Sequence, residues 1–298
     1  MGELAILLER FYSGDVKALA RCITIVENEI EGSEEILTSL RFAKDNRIIG
    51  ITGPPGAGKS TLINAVIRRL TGEGRTVGIV AIDPTSPFNY GSLLGDRLRM
   101  AEHFTNEKVF IRSLATRGSL GGLSAKTIEI TDVMRAFGFD LVIVETVGVG
   151  QSEVEIAGLA DCTIVVLVPE AGDEVQTLKA GIMEIADVFV VNKADREGAD
   201  MFVSNLVDLV RSKTAETPVI RSVATRGEGI DELISAIGKC SADHEKKEFL
   251  LTEKAYTLIR NFRMKNVEKG ELQKLIHNEL QRGNFNIYLL VKKFYHNY

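Results

Sequence analysis

Apolar residues recur at intervals of three and four near the start of the chain: Leu4, Leu7, Leu8 and Phe11, then Val16, Leu19, Ala20 and Ile23. That period puts them on one face of a helix, so residues 1–45 are predicted to be a helical segment. From Arg47 the pattern changes to short apolar runs at 47–52, 76–82, 108–111, 140–145, 162–168, 188–192 and 218–221. These runs are rich in Val and Ile and lack polar alternation, as strands covered by helices on both faces do. Helical patterns separate most of them, which predicts an α/β fold with a mostly parallel, doubly wound sheet over residues 46–240. All six prolines, at 54, 55, 84, 87, 169 and 218, fall in this central region and leave both flanks free of helix breakers. After Gly229 helices are expected through 239 and at 246–263, 271–279 and 287–294, so residues 241–298 read as a C-terminal helical arm.

Composition narrows this picture. The 298 residues are 45% hydrophobic and 26% charged, with a formal net charge of −5, ordinary for a globular chain with a sizeable core. No apolar run approaches the ~20 residues a bilayer span needs, so no membrane role and a cytoplasmic location are expected. Cys22, Cys162 and Cys240 are odd in number and unclustered, and are expected as reduced, buried thiols rather than a bridge or a zinc site. The charge is uneven: from Ser241 onward eleven basic and seven acidic residues give +4, against −9 for the rest. A basic tail alone suggests nucleic acid, but the central region is acidic and has no aromatic-basic module, so no nucleic-acid partner is expected.

The first apolar run leads directly into Gly53-Pro54-Pro55-Gly56-Ala57-Gly58-Lys59-Ser60-Thr61, after which 62–70 continues as a helix. This is G-x-x-x-x-G-K-[ST] in its strand-loop-helix setting, a P-loop. The glycines let the backbone wrap a phosphate so that successive amides and the helix N-terminus face it. Lys59 reaches the β and γ oxygens, and Ser60 is a ligand for Mg²⁺. The ligand is a nucleoside triphosphate.

Asn192-Lys193-Ala194-Asp195 follows the run ending at Val191. A carboxylate there accepts from both N–H donors on the Watson–Crick edge of guanine, a donor pair that adenine lacks, which favours GTP over ATP. Between the two motifs, the run ending at Val144 passes into Glu145-Thr146-Val147-Gly148, where P-loop GTPases usually carry Asp-x-x-Gly. Glu145 reaches the metal directly or through a water. Asp83, in Asp83-Pro84-Thr85-Ser86-Pro87, and Asp96, in Leu94-Gly95-Asp96-Arg97, are further candidates for the metal or the attacking water; turn cap and helix-surface acid are their ordinary roles.

These motifs together resemble one family. Ile51 to Thr61, Ile82 to Phe88, Leu93 to Met100, Ser113 to Gly118, Glu145 to Glu153, Gln176 to Glu184 and Val191 to Asp195 are similar, in content and order, to the MeaB/ArgK GTPases of the SIMIBI class of P-loop G proteins. The likeness extends to the front helix around Ala20 to Glu27. It implies a G-protein chaperone that gates adenosylcobalamin delivery to a methylmalonyl-CoA mutase and protects that enzyme through GTP binding and hydrolysis. It also implies a homodimer formed partly through the C-terminal arm. By the same resemblance Lys59 and Ser60 serve phosphate and Mg²⁺. Asp83, Asp96 and Glu145 form the acidic cluster at the metal, Lys179 belongs to a switch that reports partner binding, and Ser222-Val223-Ala224 supports the guanine. Two departures stand out: Glu170 occupies a position where Gly is usual, and Ser222-Val223-Ala224 replaces a Ser-Ala pair.

The expected chemistry is in-line attack of water on the γ-phosphorus, with Lys59 neutralising developing charge. Gln151 is a candidate to orient that water, and Arg97, Arg99 and Arg117 to stabilise charge. Two alternatives use the same loop. A small-molecule transport-system kinase would need an acceptor pocket and usually ATP. A nickel-insertion GTPase would carry a His or Cys cluster, whereas His103, His244, His277 and His296 are scattered singly.

Overall fold

The computed structural model of the chain describes residues 2–43, 46–83, 100–115, 125–146, 156–169, 180–211, 217–240, 244–264, 267–281 and 285–297. Three helices come first: α1 Glu3–Tyr12, α2 Val16–Glu27 and α3 Ser33–Ser39. The Asp15 carboxylate accepts from the amides of Lys17 and Ala18, satisfying free donors in the first turn of α2. The apolar face of α2, with Leu19, Cys22, Ile23 and Val26 fully buried, packs against α5 Ala125–Phe137. The short, acidic α3 has too few apolar positions to be read from periodicity.

Seven strands follow among the described residues: β1 Arg47–Thr52, β2 Val77–Asp83, β3 Val109–Ala115, β4 Leu141–Thr146, β5 Cys162–Leu167, β6 Val188–Val191 and β7 Val219–Arg221. They form one sheet in the order β3-β2-β4-β1-β5-β6-β7, and every pairing is parallel. The helices α4 Lys59–Gly72, α6 Ala180–Ile185, α7 Ala199–Arg211 and α8 Ile230–Lys239 lie between or after strands. The expected doubly wound architecture is what the chain adopts. In β1, β4, β5 and β6 nearly every residue is buried, which is why their sequences carry no alternation. β3 runs beyond the apolar stretch at 108–111 because it is an edge strand. From this edge Arg112 forms an ion pair with Glu27 of α2.

The cysteine expectation is corrected. Cys162, which opens β5, and Cys240, just past α8, form a disulfide across 78 positions of sequence. Spacing hides this pair because sheet topology, rather than local sequence, brings the two ends together. The same helix end is held a second time: Arg47 donates to the carbonyls of Ile237 at 2.8 Å and Cys240 at 2.9 Å. Cys22 remains a free, buried thiol.

The chain divides into two compact units, Met1–Lys254 and Ala255–Tyr298. The second contains the end of α9 His244–Met264 together with α10 Lys269–Gln281 and α11 Ile287–Asn297. It leaves large apolar side chains in solvent, among them Phe262 at 74% and Tyr288 at 82% exposure. No helix among the described residues is long and apolar enough to cross a membrane.

Candidate nucleotide site

β1 is the switch point of the sheet: the chain reaches β2 by passing over β4 on one side and later fills the other side with β5, β6 and β7. In open α/β sheets the crevice outside the carboxyl ends of such strands is where ligands bind. The loop 53–58 begins there and needs its glycines. Gly53 has φ +140°, and a Cβ on it would lie 2.1 Å from the carbonyl oxygen of Val166. Gly58, at φ +84°, would drive a Cβ to 2.4 Å from Nδ2 of Asn192. Lys59, Ser60 and Thr61 open α4, whose buried face of Leu62, Ile63, Val66, Ile67 and Leu70 anchors it to the sheet. Anion-seeking amides at the helix start are thereby held against the strand ends.

Lys59 is 7% exposed, and its Nζ donates to the carbonyls of Gly53 at 2.8 Å and Pro54 at 3.0 Å. The hydroxyl of Ser60 donates to Oε1 of Glu145 at 2.7 Å. Glu145 is placed by register, since it stands beside Ile51 of β1 and Ala81 of β2. Thr146 continues the contact, its hydroxyl donating to that of Thr52 at 3.0 Å. Ser60 and Glu145 therefore converge as two hard oxygen donors at the mouth of the phosphate loop. That donor set suits Mg²⁺, which takes one or two protein oxygens and completes its octahedron with phosphate and water.

The second motif lies alongside. Asn192, 3% exposed, donates from Nδ2 to the Ala57 carbonyl at 2.9 Å and accepts at Oδ1 from the amide of Ala224 at 3.2 Å. Lys193 adopts φ +56° and donates from Nζ to the Gly56 carbonyl at 2.8 Å. Asn192 and Lys193 thus lash the base loop to the phosphate loop, and the third arm, Ser222-Val223-Ala224, is buried beside them. The amide of Ala194 donates to the Ser222 carbonyl at 3.0 Å. Asp195 faces outward, its carboxylate 3.3 Å from Arg226. Arg226, three residues past the buried Val223, lies in the turn that follows β7, where sequence alone shows only one more exposed cation. Asp83 ends β2, at the carboxyl edge of the sheet. Asp96, Lys179, Gln151, Glu170, Arg97, Arg99 and Arg117 lie outside the described residues.

Comparison with known proteins agrees with this geometry. "Putative GTPase PYRAB02490" of Pyrococcus abyssi is 49% identical over 292 residues, 94% of this chain and 88% of that protein. "GTPase ArgK" of Escherichia coli is 38% identical over 247 residues, 78% of this chain and 75% of that one. A crystal structure described as LAO/AO transport system kinase superposes with a TM-score of 0.65 at 25% identity, covering 98% of this chain and 97% of that one. The family described as "Methylmalonyl Co-A mutase-associated GTPase MeaB" matches residues 19–280. With the phosphate loop, the facing carboxylate and the base loop assembled at one sheet edge, this chain belongs to the MeaB family of GTPases.

Proposed function

We propose that the protein binds GTP with Mg²⁺, hydrolyses it slowly, and uses that cycle as a chaperone gating adenosylcobalamin delivery to a mutase of the methylmalonyl-CoA type. The observation that carries the catalytic half is the 2.7 Å contact between Ser60 and Glu145 at the phosphate loop. The family description carries the partner half. Gly53 to Thr61 hold the phosphates, Lys59 balances charge developing on the β and γ oxygens, and Asp195 reads guanine. Ala224 contributes its backbone, with Ser222 and Val223 as its support. Ser60 and Glu145 would hold Mg²⁺, with Asp83 and Asp96 as further carboxylates, and the ion would supply positive charge to the phosphates. Lys179 acts in the partner-sensing switch. Two chains pair through residues 241–298, where large apolar side chains stand in solvent.

Turnover should be slow alone, roughly 10⁻⁴ to 10⁻² s⁻¹, as for phosphoryl transfer without an inserted arginine. The test is GTP turnover with and without a cobalamin-dependent mutase. Stimulation together with a stable complex supports the chaperone reading; the absence of both would overturn it. Near-normal turnover by Lys59→Ala would overturn the catalytic assignment. A chain ending at Ala242 should bind GTP as a monomer, and a persistent dimer would refute the arm as the interface. For the kinase alternative, an acceptor pocket and ATP preference would be required, whereas the Asn192 and Asp195 loop favours guanine.

A further inference from the structure

We propose that Arg226 is a positioning residue for guanine recognition: its guanidinium sets the plane of the Asp195 carboxylate that receives the base. The inference rests on the reading of Asp195 as the guanine acceptor and adds to it the residue that orients this group. Asp195 needs orienting, because its side chain is 36% exposed and no strand or helix encloses it. Two coplanar N–H donors on guanine require both carboxylate oxygens at once, in one plane. A freely rotating carboxylate meets that requirement only part of the time.

Arg226 supplies the constraint from a rigid turn. Its amide donates to the Val223 carbonyl at 2.8 Å, and the Val223 amide donates to the Glu228 carbonyl at 3.1 Å. Gly227 turns the chain at φ +74°. At Gly229, φ is +78° and a Cβ would stand 2.0 Å from the Arg221 carbonyl oxygen, so the turn admits no other course there. The turn is tied to the base loop through Ala194 to Ser222 at 3.0 Å and through Ala224 to Asn192 at 3.2 Å. The backbones carrying Arg226 and Asp195 are therefore fixed relative to each other. Nη2 of Arg226 lies 3.3 Å from Oδ2 of Asp195, while Nη1 lies 3.8 Å from Oε1 of Glu228. Arg226 is itself 60% exposed and meets the acceptor through this one ion-pair contact to Oδ2, with Glu228 on its other side. Each carboxylate oxygen offers two acceptor sites, so Oδ2 serves the arginine and the base together. An ion pair this exposed adds little to fold stability; what it restricts is the rotation of Asp195.

The test compares guanine with hypoxanthine nucleotides, since hypoxanthine lacks the 2-amino donor and makes a single bond to the carboxylate. In the full-length chain, Arg226→Ala should weaken GDP about tenfold and IDP less than threefold, so that the preference for guanine falls. In turnover assays the loss should be carried in KM rather than kcat, and Arg226→Lys should restore most of it. Equal losses for GDP and IDP, or no loss, would overturn the proposal. Asp195→Asn keeps the two failures apart: it should exchange GDP preference for XDP, whose 2-carbonyl requires a donor. If Asp195→Asn switches the base but Arg226→Ala leaves the GDP-to-IDP ratio intact, only the role of Arg226 fails. If Asp195→Asn still prefers GDP, the base reading fails and Arg226 falls with it.

Discussion

The Ser60 hydroxyl donates to Glu145 Oε1 across 2.7 Å, joining the first turn of α4 to the last residues of β4, partners 85 positions apart in sequence. Register places the Cα of Glu145 beside Ile51, and from there its longer side chain reaches the serine. Glu145→Gln keeps the shape and removes the charge. It should lower Mg²⁺-supported GTP turnover by about 10²-fold, while GDP affinity measured in EDTA changes by less than about threefold. Native-like turnover in this variant would remove Glu145 from the metal site.

Gly58 is a second point of test. A methyl group there meets both a left-handed backbone angle and Nδ2 of Asn192 at 2.4 Å. Gly58→Ala should therefore damage the phosphate and base loops together, raising Kd for GDP by more than about tenfold, with loss of melting temperature. Unchanged GDP binding by calorimetry would show that the two loops are not coupled through Asn192.

The disulfide between Cys162 and Cys240 closes 78 residues of chain. On the chain-entropy view such a loop is worth about 4 kcal/mol. Reduction, or Cys240→Ser, should lower Tm by about 5–10 °C in scanning calorimetry. Thiol titration of the unfolded, unreduced chain should find one free cysteine, Cys22; finding three would remove the bridge.

Cys22 carries a pH signature. Burial pushes its thiol up to about 11 from 9.0, so the folded chain keeps the proton over a range in which the unfolded chain gives it up. The folded value is the raised one. The stabilisation is therefore fully present below pH 9, declines as pH rises, and is gone past the folded value of about 11. The urea midpoint of the native chain should fall between pH 9 and pH 11 more steeply than that of Cys22→Ala. Parallel curves would rule the thiol out as the source.

The sheet and the nucleotide loops were legible in the sequence for physical reasons. Buried parallel strands leave uninterrupted Val and Ile runs, and a phosphate cradle admits few residues besides glycine at Gly53 and Gly58. What sequence missed depends on distance in the chain. Cys162 and Cys240 meet only once β5 and α8 are placed, and β3 runs on through Arg112 to Ala115 because β2 pairs with it over that length, while Glu27 of a distant helix receives the arginine. Arg226 escaped notice for a different reason. An exposed arginine after a strand is commonplace, and its meaning comes from the turn that aims it.

The ammonium of Lys59 rests on the carbonyls of its own loop, Gly53 and Pro54. An incoming nucleotide thus meets a cradle already curved around an internal cation. Binding is then an exchange of partners about a fixed shape, in which phosphate oxygens share a charge that the backbone was holding in reserve. Such a loop has little folding to do when GTP arrives and little unfolding when GDP leaves. Asn192 and Lys193 clasp the same loop from the base side, so its curvature is held from both ends before any nucleotide arrives.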